Sequence, residues 1–216
     1  GPIQSLKQRN LDLKPIPVSQ WGPFVALHFG NPSTTLETEL GPLLDTFAAR
    51  PFENLQFVRQ VTYQINCNWK VFVDNYLDGG YHVAHVHPGL TGQLDISSYS
   101  STLGERWSMQ SCAATSSPDN DSSADLARRV GQHADYAWIY PNFMVNRYGP
   151  WMDTNTVIPL SLDSCLIVFD YYHEGTPETD FLEQSLVASD QVQQEDIEIC
   201  NRVQAGLNSG VYEQGV

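Results

Sequence analysis

Residues 68–88 read NWKVFVDNYLDGGYHVAHVHP, and the pattern predicts a helix that carries chemically active side chains. This stretch holds three of the six histidines of the chain and two of its aspartates, spread over about six helical turns. Neutral imidazoles beside a carboxylate are a ligand set that borderline divalent metals accept. Two histidines with one carboxylate from elsewhere in the chain would leave coordination positions open, as non-haem iron requires when it binds oxygen. The stretch therefore predicts a metal site.

The spacing of the three histidines leaves two pairings open. His82 and His87 are five residues apart, so a regular helix would place them about 140° apart around its axis. Both reach one metal ion if the helix loosens or ends between them. The pair Gly79-Gly80 weakens the helix just before His82, and Pro88 disfavours the helical conformation at His87. A regular helix would instead bring His85 to the face of His82, and spacing alone does not choose between the two.

The composition is typical of a globular protein. The chain has 216 residues, of which 41% are hydrophobic and 11% aromatic. We therefore expect one domain over residues 21–216, preceded by a polar arm over residues 1–20. No apolar run approaches the roughly 18 residues that span a bilayer, and the first residues lack the apolar core of a signal peptide. The net charge of −14 argues against binding to nucleic acid or anionic membranes and is compatible with a cationic substrate.

Four widely spaced cysteines (Cys67, Cys112, Cys165 and Cys200) include no Cys-x-x-Cys pair. This spacing argues against a zinc ribbon and against a disulfide scaffold. A reducing compartment follows as the simpler assumption. We expect a cytoplasmic protein, with the stroma of an organelle as the alternative.

The other segments predict an α+β fold. Apolar periodicity predicts helices over residues 35–49, 68–86 and 179–207. Alternating or β-branched patterns predict strands within residues 18–29, 57–67, 97–114, 136–148, 154–160 and 165–173. Runs of strands that end in one long helix are typical of an antiparallel sheet packed on helices.

Three blocks of the sequence carry a family resemblance. Residues 74–83 read DNYLDGGYHV, residues 136–153 read YAWIYPNFMVNRYGPWMD, and residues 194–200 read QEDIEIC and are followed by QAGL at 204–207. In this order they resemble the catalytic domain of the Rieske-type mononuclear iron oxygenases, and within that family the choline monooxygenase-like branch. Weaker similarity begins near residue 21. The resemblance implies an antiparallel sheet wrapped around a long C-terminal helix, the helix-grip or START-like fold.

The same resemblance implies a ligand set. Ferrous iron would be held by His82, His87 and Asp196, and His85 would lie beside the site as a pocket residue. Without the resemblance, Asp196 and its neighbour Glu195 would be interpreted as acids on a solvated helix face.

Asp78 and Asn75 would complete the catalytic residues. The resemblance implies that Asp78 accepts a hydrogen bond from His82 and links the iron to a Rieske cluster. Many relatives carry this acid three residues before the first histidine, where this chain has Gly79. The alternative for Asp78 is a helix C-cap or a surface acid. Asn75 would lie at the open face of the iron, or else be a helix-interior amide that bonds to water.

The second block is rich in aromatic residues that could bind a substrate. Strand aromatics usually pack in the core, but a few could build a box for a quaternary ammonium group through cation–π attraction. The candidates are Trp138, Tyr140, Phe143, Tyr148 and Trp151. Tyr81 could form a wall of the same site or belong to the core.

A Rieske [2Fe-2S] cluster is not expected in this chain. Such a cluster needs two cysteines and two histidines in paired short motifs, and no cysteine here lies two or three residues from a histidine. The electrons would then come from a Rieske domain or reductase elsewhere, and the resemblance implies a homotrimer in which the cluster of one subunit faces the iron of the next.

The resemblance implies an O2-dependent monooxygenase that hydroxylates a small quaternary ammonium substrate, as in the conversion of choline to betaine aldehyde hydrate. Two alternatives remain at this point. One is a non-catalytic helix-grip module for ligand binding or assembly that has lost its electron supply. The other is a hydrolase that uses the same three ligands with zinc and an activated water.

Overall fold

The computed structural model describes residues 13–115 and 129–212. The chain forms two compact units, Gly1–Glu53 and Asn54–Val216. Most of the expected N-terminal arm, residues 1–12, lies outside the described residues, and the first strand begins at Val18. Among the helices that the structure describes, none has the length and apolar character needed to cross a membrane.

The first unit is an antiparallel strand pair followed by a helix. It contains β1 (Val18–Trp21), β2 (Phe24–Leu27) and α1 (Leu36–Ala48). Gly22 turns the chain between the strands with φ +54°, and a Cβ there would lie 2.1 Å from the ring of Phe52. The close approach is part of an aromatic cluster formed by Trp21, Phe24, Phe47 and Phe52. This cluster is the small apolar core of the unit.

A seven-stranded antiparallel sheet forms the base of the second unit. Its strands are β3 (Leu55–Ile65), β4 (Ser100–Leu103), β5 (Trp107–Ala113), β6 (His133–Ile139), β7 (Phe143–Tyr148), β8 (Trp151–Pro159) and β9 (Cys165–Glu174). They lie in the order β3-β9-β8-β7-β6-β5-β4. From Cys165 to His173, buried residues alternate with half-buried ones, so one face of β9 is turned towards the core.

Helices cover the inner face of this sheet. They are α2 (Trp69–Leu77), α3 (Gly79–Val86), α4 (Pro88–Thr91) and α5 (Thr179–Asn208), with a short 3-10 turn at Ile96–Ser98. At 30 residues, α5 is about 45 Å long. It packs against α2 and β3, and its buried Phe181, Leu186 and Cys200 join the core of the sheet. The predicted α+β class, with an antiparallel sheet and a long C-terminal helix, is confirmed.

The prediction of one continuous helix over residues 68–86 was wrong. α2 ends at Leu77 and α3 begins at Gly79, whose φ of +66° lies in the left-handed region. A glycine reaches this region without steric cost, so the chain changes direction between the two helices. The break was signalled by the Gly79-Gly80 pair, but the sign of φ could not be derived from it.

Candidate metal centre

Three side chains from two distant segments of the chain meet in one cluster. His82 Nε2 lies 2.8 Å from His87 Nε2 and 3.0 Å from Asp196 Oδ1. His87 Nε2 lies 3.2 Å from the same carboxylate oxygen. Both imidazoles are buried, and the side chain of Asp196 is only 15% exposed. Within residues 13–115 and 129–212, this is the set of three or more ligand-type side chains close enough together to hold one metal ion.

The end of α3 decides which histidine joins the cluster. His87 follows the last residue of α3, and its φ of −113° and ψ of 78° lie outside the helical region, immediately before Pro88. His85 remains on the helix. Its Nδ1 lies 2.7 Å from the carbonyl oxygen of Tyr81, and the two rings are stacked with centroids 4.2 Å apart. The structure therefore brings His87, and not His85, to His82 and Asp196.

The separations among the three donor atoms fit a facial arrangement around one ion. Imidazole nitrogens and carboxylate oxygens lie about 2.1 Å from a divalent metal of this class. Two such ligands at right angles are about 3.0 Å apart, whereas a tetrahedral angle would separate them by about 3.4 Å. The observed separations of 2.8, 3.0 and 3.2 Å bracket the right-angle value. Three ligands on one face of an octahedron leave the opposite face open.

A second layer of hydrogen bonds orients these ligands. Asn75 Nδ2 donates to Asp196 Oδ1 over 2.8 Å. His87 Nδ1 donates to Glu195 Oε2 over 2.7 Å, and Gln191 Nε2 donates to the other oxygen of Glu195 over 3.0 Å. With its proton on Nδ1, His87 presents the lone pair of Nε2 to the cluster, as a metal ligand must.

The interpretation of Glu195 as a surface acid was incomplete, because its carboxylate bonds to a histidine 108 residues away. Its helix neighbour Glu198 does behave as a surface acid and pairs with Arg202 one turn later. Nothing in the local pattern of α5 separates the two glutamates. The available signal was the position of Glu195 next to a candidate ligand.

Contacts within the cluster shift the pKa values of Asp196 and His87. Burial opposes the charged form of Asp196, but hydrogen bonds from His82, His87 and Asn75 outweigh it and lower the pKa of the carboxyl. Burial also opposes the charged form of His87. Hydrogen bonds and charge from Asp196 and Glu195 outweigh that effect and raise the pKa of the imidazole. The pocket is therefore electronegative and favours a bound cation.

A cavity of about 140 Å³ adjoins the three donors. Its aromatic walls are Phe72, Tyr76, Tyr99, Tyr136, Tyr148 and Phe169. Its polar groups include Gln110, Arg129, Asn146, Asp153 and Asn155. A cavity with aromatic walls and a few convergent polar groups is typical of a site for a small molecule.

Of the five aromatic candidates from the second block, Tyr148 alone lines this cavity. Trp138, Tyr140 and Phe143 surround the turn between β6 and β7, where Tyr140 is 54% exposed beneath the guanidinium of Arg106. Trp151 is buried at the other end of that sheet region, edge-on to His173 with ring centroids 4.8 Å apart. Trp138, Tyr140 and Phe143 are separated from the cavity by their position near this turn, whereas Trp151 lies outside it although Trp151 is the cross-strand partner of Tyr148.

Three other tyrosines that line the cavity were not among the sequence candidates. Tyr76 follows Asn75 on α2, Tyr99 follows the 3-10 turn, and Tyr136 lies on β6. The available signal lay in the strands, where Asn146, Asp153 and Asn155 occupy buried positions. Polar residues at core-facing strand positions need a polar partner or a ligand.

Asp78 and Tyr81 lie on the outside of the centre. Asp78 is exposed where α2 meets α3, and Tyr81 is 70% exposed on α3. Both line a surface groove with His85 and the C-terminal part of α5. His82 lines this groove as well as the cavity, so it separates one from the other.

Gly79 explains why this chain has no acid three residues before His82. A Cβ at Gly79 would lie 2.8 Å from Gln110 Oε1 and 3.2 Å from the hydroxyl of Tyr99. A longer side chain would enter the cavity wall instead of the groove. At this end of α2, an acidic side chain reaches the groove from position 78, as that of Asp78 does.

Comparison with known proteins places these features in a family. The family model of the ring hydroxylating alpha subunit (catalytic domain) matches residues 52–216. The chain is 43% identical to the chloroplastic choline monooxygenase of Arabidopsis thaliana over 229 residues, which covers 99% of this chain and 53% of that protein. It is 24% identical to the carnitine monooxygenase oxygenase subunit of Acinetobacter pittii over 213 residues, which covers 97% of this chain and 57% of that protein.

A solved structure has the same fold. The structure of a quaternary ammonium Rieske monooxygenase superposes with a TM-score of 0.77 at 22% sequence identity, covering 93% of this chain and 55% of that chain. At that identity, the likeness supports the fold alone. The chain spans about half the length of the curated relatives that it matches.

Proposed function

Because the chain belongs to the family of ring hydroxylating alpha subunits, whose catalytic domain it carries, we propose that it is the iron-binding half of an O2-dependent monooxygenase. Its substrate would be a small quaternary ammonium compound, with choline as the first candidate. The observation that carries the proposal is the set of His82, His87 and Asp196 in the lining of an aromatic-walled cavity.

The donor set suits ferrous iron. Two imidazoles and one carboxylate on one face are the ligands of non-haem iron oxygenases, and the three separations fit right-angle coordination. When bound, the iron would supply the redox chemistry that activates O2. The remaining tasks fall to the protein. Glu195 fixes the tautomer of His87, and Asn75 restrains Asp196 so that one carboxylate oxygen faces the two imidazoles.

Two observations support a quaternary ammonium substrate. The named activities of the relatives are choline and carnitine oxidation, and both molecules carry a trimethylammonium group. The cavity has a volume of about 140 Å³ and is walled by six aromatic rings, which attract such a group through their faces. The cavity would hold the substrate with its oxidised carbon towards the ligands and away from water.

The groove outside His82 suits the delivery of electrons. A Rieske domain from a neighbouring subunit or a separate partner would dock there, and Asp78 would bridge its cluster ligand to His82. Asp78 is exposed in the groove and therefore accessible to such a partner. A homotrimer, as the resemblance implies, would supply this contact. The Arabidopsis relative is named as chloroplastic. This name supports the stroma of an organelle as the location of this chain.

Metal analysis of histidine variants tests the proposal. The chain, loaded with ferrous iron without oxygen and then desalted, should retain about one iron per chain by mass spectrometry. His82→Ala and His87→Ala should each lose the iron, because two ligands do not hold it. His85→Ala is the matched control and should retain it, since its imidazole bonds to the Tyr81 carbonyl. Loss of iron in His85→Ala with retention in His87→Ala would refute the assignment, as would a preference for zinc.

A further inference from the structure

Asp153 is an unusual residue for the inner face of a sheet. It lies on β8, is 4% exposed, and lines the same cavity as the candidate metal ligands. Asn146 and Asn155 donate to its Oδ1 over 2.7 and 3.0 Å, and the hydroxyl of Tyr148 donates to its Oδ2 over 2.7 Å. Three donors hold this carboxyl group in one orientation.

All three of these donors are neutral. A buried carboxylate without a bonded cation carries a large cost of desolvation, which neutral hydrogen bonds reduce only in part. Burial accordingly raises the pKa of Asp153, although the three donors and the charge of Arg129 oppose the rise. A cation inside the cavity would remove much of this cost by stabilising the ionised form.

Arg129, which also lines the cavity, brings positive charge to Asp153 by way of Tyr148. Its guanidinium lies 5.0 Å from the ring centroid of Tyr148, and its Nη2 donates to the hydroxyl of that tyrosine over 3.4 Å. Since the same hydroxyl donates to Asp153, the phenol stands between the guanidinium and the carboxyl. This relay polarises the hydroxyl towards Asp153 and offsets part of its charge, while the remaining charge acts on the cavity that Asp153 lines.

Aromatic rings line the same cavity as the carboxyl. The pKa values of Tyr76, Tyr136 and Tyr148 are raised, first by burial and also by the negative charge of Asp153. The charge therefore acts on tyrosines from α2, β6 and β7, three walls of one cavity. Aromatic rings near a buried anion are complementary to an organic cation that offers no hydrogen-bond donor.

We propose that Asp153 is the counter-anion that recognises the quaternary ammonium group of the substrate, with Tyr76, Tyr136 and Tyr148 around that group. The inference rests on the proposed function, because it assigns the substrate its orientation in that cavity. The cationic end lies at Asp153, and the carbon to be oxidised lies towards His82, His87 and Asp196. The residue would determine the choice between charged and neutral substrates of equal shape.

The test compares two ligands that differ only in charge. Choline and its neutral isostere 3,3-dimethylbutan-1-ol are titrated into the iron-loaded chain by calorimetry, without oxygen or a reductant. Wild-type protein should bind choline on the order of ten to a hundred times more tightly, from one Coulomb contact in a partly screened site. Asp153→Asn should lose about tenfold of that preference and keep only the part that the aromatic rings supply, and it should keep its iron.

A buried aspartate elsewhere on the sheet provides the control. Asp135 on β6 is 5% exposed and bonds to Ser111 and His133, and it does not line the cavity. Asp135→Asn should keep the preference for choline. A choline preference in Asp153→Asn that is as large as in the wild type overturns the role of Asp153 and leaves the proposed function standing. Equal or absent binding of both ligands by the wild-type chain overturns the quaternary ammonium substrate as well.

A second measurement avoids any variant that fails to fold. Wild-type crystals soaked with arsenocholine, in which arsenic replaces the quaternary nitrogen, locate the cationic centre by anomalous scattering. Arsenic within about 6 Å of the Asp153 carboxyl supports the inference, since charges interact strongly over that range. Arsenic elsewhere in the cavity, or at the metal ligands, overturns it.

Discussion

His87 is held at both nitrogens by consecutive residues of one helix. Its Nδ1 lies 2.7 Å from the carboxylate of Glu195, and its Nε2 lies 3.2 Å from the carboxylate of Asp196. Consecutive side chains on a helix point about 100° apart. The two nitrogens of His87 lie at different edges of the imidazole, so each faces one of the two carboxylates. α5 thereby supplies Asp196 as a candidate metal ligand. The preceding residue, Glu195, orients His87, which is a second candidate ligand.

Glu195→Ala should weaken iron binding by roughly ten- to a hundredfold, because His87 loses the acceptor that fixes its tautomer. Glu195→Gln should lose less, since an amide oxygen still accepts from Nδ1. Glu198→Ala is the matched control, as Glu198 lies one turn along the same helix and pairs with Arg202 at the surface. Affinities come from competition with a metal-sensitive dye. Unchanged binding in Glu195→Ala would show that the contact has no part in metal binding.

The pH dependence of metal binding follows from the raised pKa of His87. Its ordinary value is 6.5, and a raised pKa means that the proton remains on the ring to a higher pH in the metal-free protein. The metal must displace that proton, so affinity should fall as the pH is lowered through a value above 6.5. Asp196, whose pKa is lowered, stays ionised throughout this window.

Glu195→Gln should shift this dependence to lower pH, because one of the groups that raise the pKa of His87 is removed. Cobalt(II) absorption between pH 5.5 and 8 measures both profiles, within the range that imidazole titration covers. Identical profiles for the two proteins would contradict the assigned cause.

The fold could be predicted from the sequence to a large extent, because local signals decide most of its elements. Alternation along β9 and the apolar spacing in α5 specify a strand and a helix without reference to the rest of the chain. The turn at His87 was predicted for the same reason, since Pro88 acts on its immediate neighbour. The break at Gly79 was only half predicted, because a glycine permits a positive φ without requiring it.

The site was predictable only where a local pattern or a family resemblance marked it. The contact of Glu195 with His87 and the place of Asp153 in the cavity depend on how distant strands and helices are arranged. Alternation shows which face of a strand a residue occupies. It does not show which of two paired side chains reaches the cavity, and for this reason the cross-strand partners Tyr148 and Trp151 could not be distinguished.

Asp78→Asn tests the proposed path of electrons. The variant should keep its iron, because Asp78 is exposed and outside the donor cluster. Substrate turnover with a Rieske electron donor should fall by at least about tenfold if the carboxylate bridges to His82, as loss of such an outer ligand does in metal sites. Asp74→Asn, an exposed acid in the same groove, should turn over normally. Full turnover in Asp78→Asn would remove this residue from the path.

Gly79→Ala should damage both the fold and the metal centre, since the residue adopts φ +66° where its Cβ would lie 2.8 Å from Gln110 Oε1. A non-glycine residue in this region costs about 1–2 kcal/mol, and crowding adds to that figure, so we expect about 2–4 kcal/mol less stability towards urea. The displaced α3 should also lower iron affinity, because it carries His82.

Gly206→Ala is the control: it lies in α5 with no atom within 4 Å of an added Cβ, and should be neutral or stabilise by up to about 1 kcal/mol. Equal stability of the two variants would mean that the break between α2 and α3 does not depend on a glycine.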